Sequence, residues 1–282
     1  MNAPGDLAKD LARFWADVEG DTLLVHTDVA RLNTPLPPAP RDVQLERLFD
    51  ILRSAAGGRT LLLPTFNYDY PRTRVYDVRG DAGQVGVLND HIRRRPGVVR
   101  TRTPIFNFAV VGGGWSPAAN ENPFSAESVF GECVRRKSEL VLFGGTFAVT
   151  FLHRVEEIAD VGYRYLKPFP GTIVDGDHRE TVRFVYRVRP ARGARLDYDW
   201  ERLADDLRGR GLLRSAPLGR GRGLRCRADL VAADWAERLR ADPFYLLTAE
   251  SRRELEALQR RVGGRLTLEN VEGRDAAPAE NL

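Results

Sequence analysis

The segment ELVLFGGTFAVTFLHRVEEIAD, residues 139–160, decides the fold because it joins a strand to a helix through a glycine turn. Apolar residues fill the stretch from Leu140 to Phe143, and two glycines follow, which is the pattern of a buried strand and its turn. The stretch after residue 148 has the spacing of a helix. A strand that leads directly into a helix indicates an α/β unit.

The same alternation of strand and helix continues towards the N-terminus. Thr22–His26 and the start of RTLLLPTFNY (59–68) are predicted strands, and a third strand falls within 98–114. Predicted helices lie within 5–18, after about residue 41, within 84–97 and within 128–138. Short connections between such elements predict an α/β fold, with a central mixed sheet flanked by helices.

The order of the predicted strands and helices changes after residue 165. Two strands around Asp175 and Gly176 predict a hairpin, and helices are expected within 197–211 and near the end of 215–243. GRGRG (219–223) is interpreted as a flexible loop, since no clear strand precedes it and no helix follows directly. We therefore expect a core over 1–165, a C-terminal α+β portion over 166–265 that packs on it, and a flexible tail over 266–282.

Composition restricts the class of protein. The 43 basic and 39 acidic residues give a net charge of +4, and they alternate along the chain, which does not favour nucleic-acid binding. No apolar run of about 18 residues predicts a membrane span. The N-terminus lacks the pattern of a secretory signal, and two cysteines are too few for a disulfide framework. We expect a cytoplasmic protein that binds neither membranes nor nucleic acids.

His153 is the candidate base. Residues three and four apart share one face of a helix, so Glu156 and Glu157 both lie within reach of its imidazole, and Thr150 lies one turn earlier. A carboxylate on one ring nitrogen fixes the tautomer and leaves the other nitrogen free to accept a proton. The alternative is an exposed helix with ordinary charges, and spacing alone does not decide between the two.

Other chemistries have weaker support in the sequence. His26, His91 and His178 form no second pair with metal-ligand spacing, so no metal is expected. No G-x-S-x-G or G-x-G-x-x-G pattern is present, and Cys133 lies on a predicted helix as a packed thiol. Polar loops do follow three predicted strands, at 26–28, 64–70 and 144–150, where α/β sheets usually bind ligands.

Five motifs in order give a family resemblance. They are VHTD (25–28), PTF (64–66), VGVL (85–88), RTRTP followed by NFA (100–109), and T-x-x-H-x-x-E at 150–156. Together, over about residues 20–170, the chain resembles the antibiotic N-acetyltransferase family, which includes the aminoglycoside 3-N-acetyltransferases. That family transfers an acyl group from coenzyme A to an amine.

The resemblance implies roles for particular residues. His153 would be the general base, and Glu156 would orient it. The expected co-substrate is acyl-CoA, with an acetyl or a hydroxyacyl group. The residues expected beside it are His26, Thr27, Asp28, Arg100, Thr101, Thr103 and Phe108. The residues expected beside the amine are Asn67, Tyr68, Thr150 and Glu157. A homodimer is the candidate assembly.

The chain departs from the family pattern at three points, of which the one at Thr103 gives weight to an inactive relative. Asp28 replaces a serine, Thr103 replaces a histidine, and HRVEE lacks the usual alanine before the glutamate. The segment VGYRYLKPFPGTI (161–173) resembles family members of surface-polysaccharide and amino-sugar pathways, which implies an amino sugar linked to a nucleotide as the acceptor, and the positive net charge fits that acceptor. The first alternative is an aminoglycoside, as in antibiotic resistance. The second is an inactive relative that acts as a binding protein.

Overall fold

The computed structural model describes residues 6–32, 36–115, 121–144 and 146–273. Its helices are α1 (Leu7–Phe14), α2 (Val29–Leu32), α3 (Arg41–Ala56), α4 (Tyr70–Thr73), α5 (Val87–Ile92), α6 (Val129–Arg135), α7 (Leu152–Ile158), α8 (Trp200–Gly209), α9 (Ala228–Ala241), α10 (Ala249–Val262) and α11 (Leu268–Glu272). Its strands are β1 (Thr22–His26), β2 (Thr60–Pro64), β3 (Val75–Asp77), β4 (Val99–Arg100), β5 (Phe108–Val111), β6 (Glu139–Phe143), β7 (Tyr165–Asp175), β8 (His178–Val188), β9 (Arg214–Leu218) and β10 (Gly221–Arg227).

A seven-stranded mixed sheet forms the centre of the molecule, in the order β4-β5-β2-β1-β6-β10-β9. Strands β2, β1 and β6 run parallel in the middle, and the outer pairings are antiparallel. Strands β3, β7 and β8 form a second, smaller sheet. The carboxyl ends of β1, β2 and β6 therefore meet at one edge of the large sheet.

Helices cover both faces of the large sheet, as its continuous apolar strands require. Alternate residues of a strand point to opposite faces. Leu23 and Val25 belong to the apolar cluster that includes side chains of α1, α3 and α5, whereas Leu24 belongs to the cluster that includes α6, α7 and α9. The predicted α/β class with a central mixed sheet flanked by helices is confirmed, and β1 has the predicted bounds.

The C-terminal portion contributes to the central sheet, a role that the predicted division at residue 165 did not include. β10 pairs with β6 from Gly223↔Phe143 to Arg227↔Glu139, and β9 adds a further strand. The expected hairpin at Asp175 is present as β7 and β8. Part of the expected tail is helix α11, and residues 274–282 lie outside the described residues.

The segment GRGRG (219–223), expected to be a flexible loop, forms the turn after β9 at 219–220 and the start of β10, and Gly223 shows why. A Cβ at this position would lie 2.4 Å from Leu218 Cδ1 and 3.0 Å from Phe14 Cε1. Glycine thus allows α1 to pack closely against the β9–β10 hairpin. A glycine within a strand often marks such a close approach, and periodicity does not reveal it.

Candidate active site

Helix α7 follows β6 and directs His153 and Glu156 inward. Leu152 and Val155 anchor the helix in the core, each with no exposed surface. Glu156 shares this buried side and is 1 % exposed, whereas the side chain of His153 is 24 % exposed. His153 Nδ1 lies 2.8 Å from Glu156 Oε2, the contact that a three-residue separation on a helix allows.

Four side chains surround the carboxylate of Glu156. Oε2 contacts His153 Nδ1 and, also at 2.8 Å, Arg164 Nε. Oε1 accepts hydrogen bonds from the hydroxyls of Tyr163, at 3.0 Å, and Tyr198, at 2.7 Å. Both oxygens are thus engaged, so the carboxylate is held in one orientation despite its burial. We call these four partners, His153, Tyr163, Arg164 and Tyr198, the carboxylate cage.

The cage determines which groups carry charge. Burial alone would raise the pKa of Glu156, but the charge of Arg164, with the bonds from His153 and Tyr198, holds that pKa at about 2. Burial lowers the pKa of His153, the charge of Arg164 lowers it further, and Glu156 opposes both effects. At neutral pH, Glu156 is therefore ionised and the imidazole is unprotonated.

The protonation states fix the tautomer of the imidazole. An ionised carboxylate can only accept a hydrogen bond, so Nδ1 of His153 must carry the hydrogen that points to Glu156. The lone pair then lies on Nε2. Among the described residues, none hydrogen-bonds to Nε2, and the partly exposed ring can present this nitrogen to an incoming proton donor.

Aromatic side chains line the surroundings of His153. Its ring centroid lies 5.1 Å from that of Phe124 and 6.0 Å from that of Tyr198. Phe124 in turn contacts Phe106 at 4.8 Å, and Phe106 contacts Tyr186 at 5.4 Å. These rings give the imidazole an apolar wall, which disfavours its charged form.

A groove lies where the carboxyl ends of β1, β2 and β6 meet. Its volume is about 200 Å³, and the residues that line it are His26, Thr27, Asp28, Pro64, Val85, Gly86, Asn89, Leu142, Phe143, Thr146 and Ala148. Thr27 donates to Asn89 Oδ1 at 2.9 Å, and Asn89 donates to the Pro64 carbonyl at 2.9 Å. The predicted residues 26–28 are thus brought to one groove, although Asp28 is paired with Arg31.

A second cavity of about 270 Å³ adjoins this groove, since Gly86 lines both. Arg41, at the start of α3, and Arg94, just after α5, contribute positive charge to its wall. Arg94 contacts Asp90 at 3.3 Å, and Arg41 has no ion pair within the described part of the chain. Asp42 and Asp90 also line this cavity, so its wall carries charges of both signs.

Arg100 does not lie where its predicted contact with coenzyme A requires. The residue is 6 % exposed, and its guanidinium donates to the carbonyls of Thr65, at 2.7 Å, and Asp81, at 2.6 Å, and to Asn107 Oδ1, at 2.9 Å. A buried guanidinium with this many hydrogen-bond partners stabilises the packing of the loops that carry them. The described structure therefore corrects the expectation that this arginine faces a phosphate.

Its three neighbours in the motif are also buried. Thr101 Oγ1 accepts a hydrogen bond from the backbone of Phe108 at 2.9 Å. Thr103 is 3 % exposed and Phe108 is fully buried in the apolar core. These side chains stabilise the sheet edge and offer no surface to a ligand, so the geometry does not support their predicted place beside coenzyme A.

The four residues expected beside the amine have different surroundings. Asn67 is buried and accepts a hydrogen bond from the backbone of Asp69 at 2.8 Å. Tyr68 is 53 % exposed, and Thr150 is half-buried. Glu157 lies 3.0 Å from Arg187 Nε, so its charge is already paired. Tyr68, Thr150 and Glu157 thus retain side-chain surface, and the charge of Glu157 is already paired.

The sequence analysis missed three members of the cage. Tyr163 and Arg164 lie in VGYRYL, immediately after α7, and that closeness was the available signal. Tyr198 lies 42 residues beyond Glu156 and precedes α8 in the C-terminal portion. No local pattern links it to His153, because folding alone brings the two together.

Comparison with known proteins decides the family. The family model described as aminoglycoside 3-N-acetyltransferase matches residues 24–239, which is more than half of the chain. The chain belongs to the aminoglycoside 3-N-acetyltransferase family. The match includes most of β1, the groove, α7 and Tyr198, so the whole candidate site lies within the family region.

A curated relative agrees with this assignment, and solved structures share the fold. Aminoglycoside N(3)-acetyltransferase VII of Streptomyces paromomycinus is 28 % identical over 197 residues, which are 61 % of this chain and 66 % of that relative. The apoenzyme structure of the aminoglycoside acetyltransferase AAC(3)-IVa superimposes with a TM-score of 0.65 at 24 % identity, over 89 % of this chain and 94 % of that one. AAC-IIIb, solved as a binary complex with CoASH, gives 0.64 at 17 % identity, over 83 % and 96 %.

Membership of the aminoglycoside 3-N-acetyltransferase family bears on the expected acceptor. The family model and the curated relative are named for aminoglycosides. They favour the aminoglycoside alternative and do not support the preference for a nucleotide-linked amino sugar.

In the described ranges, no helix has the length and apolar character that crossing a bilayer requires. No cluster there combines three metal-ligating side chains.

Proposed function

We propose that the protein transfers an acetyl group from acetyl-CoA to the 3-amino group of an aminoglycoside, with His153 as the general base. The observation that carries the proposal is the contact of His153 Nδ1 with the caged carboxylate of Glu156, which leaves Nε2 unprotonated and partly exposed. The family supplies the class of reaction, and the cage supplies the base that such a reaction needs.

The chemistry follows from the tautomer. The attacking group is the neutral amine, since an ammonium group has no lone pair, and its nitrogen must lose one further proton as it bonds to the acyl carbon and becomes the amide. Nε2 of His153 accepts that proton, and Glu156 stabilises the resulting imidazolium while remaining ionised. The carbon–sulfur bond then breaks, and the coenzyme leaves as a thiolate that takes up a proton. A positioned base of this kind contributes about 10²–10⁴-fold to the rate.

The groove and the adjoining cavity offer a place for the co-substrate. Coenzyme A has a narrow uncharged arm and a polyanionic nucleotide end. The groove of about 200 Å³ at the sheet edge suits the arm. In the adjoining cavity, Arg41 and Arg94 are the groups that can pair with phosphates, and Asp42 and Asp90 line the same wall. We therefore place the coenzyme along residues 26–28 and Gly86 rather than against Arg100.

We expect the double substitution Arg41→Ala/Arg94→Ala to raise the KM for acetyl-CoA by about tenfold, the loss of one or two exposed charge-assisted contacts, with little change in kcat. The effect should shrink at high salt, because both arginines are exposed. Steady-state kinetics at two ionic strengths measures this. Arg53→Ala, towards the opposite end of α3, is the control. An unchanged KM would show that the phosphates of the coenzyme bind elsewhere on the protein.

Acceptor identity is tested with a panel of amines. Related enzymes were solved with sisomicin, a gentamicin and apramycin, which are suitable first acceptors. We expect release of the free coenzyme thiol that depends on aminoglycoside, and a product heavier by one acetyl group at the 3-amino position by mass spectrometry and NMR. A nucleotide-linked amino sugar belongs in the same panel. Turnover of that sugar alone would overturn the aminoglycoside proposal.

A further inference from the structure

One oxygen of Glu156 is shared between two nitrogens of different character. Oε2 lies 2.8 Å from His153 Nδ1 and 2.8 Å from Arg164 Nε. The side chains of Glu156 and Arg164 are 1 % and 8 % exposed, so water screens neither charge well. The imidazole therefore faces a negative and a positive charge at nearly the same place.

The guanidinium of Arg164 acts on Glu156 mainly through its charge and not through a direct hydrogen bond. Nε of Arg164 makes no aligned hydrogen bond with the described residues, although it is close to Oε2. Its Nη2 donates to the hydroxyl of Tyr198, which in turn donates to Glu156 Oε1. Tyr198 thereby hydrogen-bonds to both Arg164 and Glu156. A guanidinium keeps its charge at any pH that the fold survives.

A carboxylate beside a histidine normally favours the imidazolium and raises its pKa. Here the positive charge of Arg164 cancels most of the effect of Glu156 on the pKa of His153, because Glu156 and Arg164 together have no net charge. The other groups near His153 do not replace the lost negative charge. Tyr198 and Tyr186 have their pKa values raised mainly by burial and remain neutral, and Glu157 on α7 is committed to Arg187 of β8.

We propose that Arg164 sets the pH range of the catalytic base, by neutralising Glu156 so that His153 stays unprotonated through neutral pH while the carboxylate still orients it. Arg164 touches no substrate and is a positioning residue. The inference rests on the proposed role of His153 as the base. The direction of the His153 pKa, lowered by burial and by Arg164, agrees with it.

The test is a direct titration of His153 by NMR, which is practical because the chain has only four histidines. The His153→Asn variant assigns the resonance. We expect Glu156→Gln to lower the measured pKa, since the guanidinium is then unopposed. Adding Arg164→Gln to that variant should raise the pKa by about one pH unit. This pair remains informative if Arg164→Gln alone fails to fold.

Two further variants separate charge from structure. Arg164→Lys keeps the positive charge and should leave the pKa of His153 close to that of the wild type. Arg225→Gln is the matched control, since Arg225 and Glu139 form another buried pair, at 3.2 Å, at the opposite edge of the sheet. It should destabilise the protein without moving the His153 resonance. An unchanged pKa between Glu156→Gln and Glu156→Gln/Arg164→Gln overturns the inference.

The pH dependence of turnover distinguishes this inference from the proposed function. If Arg164→Gln folds, the acidic limb of kcat/KM should move to higher pH, because a base with a higher pKa is protonated over a wider range. Should the NMR pKa rise while the acidic limb stays in place, Arg164 still tunes His153 but His153 is not the base. If neither moves, the inference about Arg164 fails.

Discussion

Replacing His153 with asparagine is expected to lower kcat by about 10²–10⁴-fold, the usual contribution of a general base. The imidazole is the group in the described site that is both unprotonated and in reach of an incoming amine. Asparagine can still face Glu156, so the cage should persist, but its amide does not accept a proton. Release of the coenzyme thiol with saturating substrates measures the loss.

Binding separates a missing base from a damaged site. His153 does not line the groove assigned to acetyl-CoA, so the dissociation constant of acetyl-CoA measured by calorimetry should remain near that of the wild type. His178→Asn, at the exposed first residue of β8, is the matched control and should keep full turnover. Wild-type turnover by His153→Asn would remove the imidazole from the mechanism.

Local patterns predicted the features that depend on local geometry. The apolar run before His26 predicted β1, because a strand covered on both faces needs consecutive apolar residues. The separation of His153 and Glu156 predicted their contact, because residues three apart share a helix face. Both predictions depend on the regular backbone geometry of strands and helices, in which the separation of two residues in sequence determines their relative position in space.

Other features depend on long-range packing, and local patterns could not reveal them. The motif at 100–104 gave Arg100 a place near the coenzyme, but a motif does not fix the direction of a side chain, and the guanidinium lies buried against Thr65 and Asp81. Tyr198 joins Glu156 from another part of the chain. Strand β10 requires glycine at residue 223 because Phe14 and Leu218 approach it.

Substituting Arg164 with methionine is expected to lower the free energy of unfolding by about 3–5 kcal/mol. The change leaves Glu156 buried with its negative charge unopposed, and two tyrosine hydroxyls and a neutral imidazole do not replace a guanidinium. Fitting urea unfolding curves measures the loss, provided that the slope with urea is unchanged. The midpoint should improve on acidification, since protonating His153, whose pKa rises once Arg164 is gone, gives Glu156 a positive partner, and protonating Glu156 removes the charge.

A double substitution shows that the loss comes from the stranded charge and not from the lost volume of the arginine. Arg164→Met/Glu156→Leu removes both charges, so it should recover much of the stability while remaining inactive or nearly so. Arg225→Met, which strands Glu139, should cost a similar amount yet leave kcat nearly unchanged. If the double variant were as unstable as Arg164→Met, packing and not charge would explain the loss. Full activity of the double variant would show that the cage is structural only.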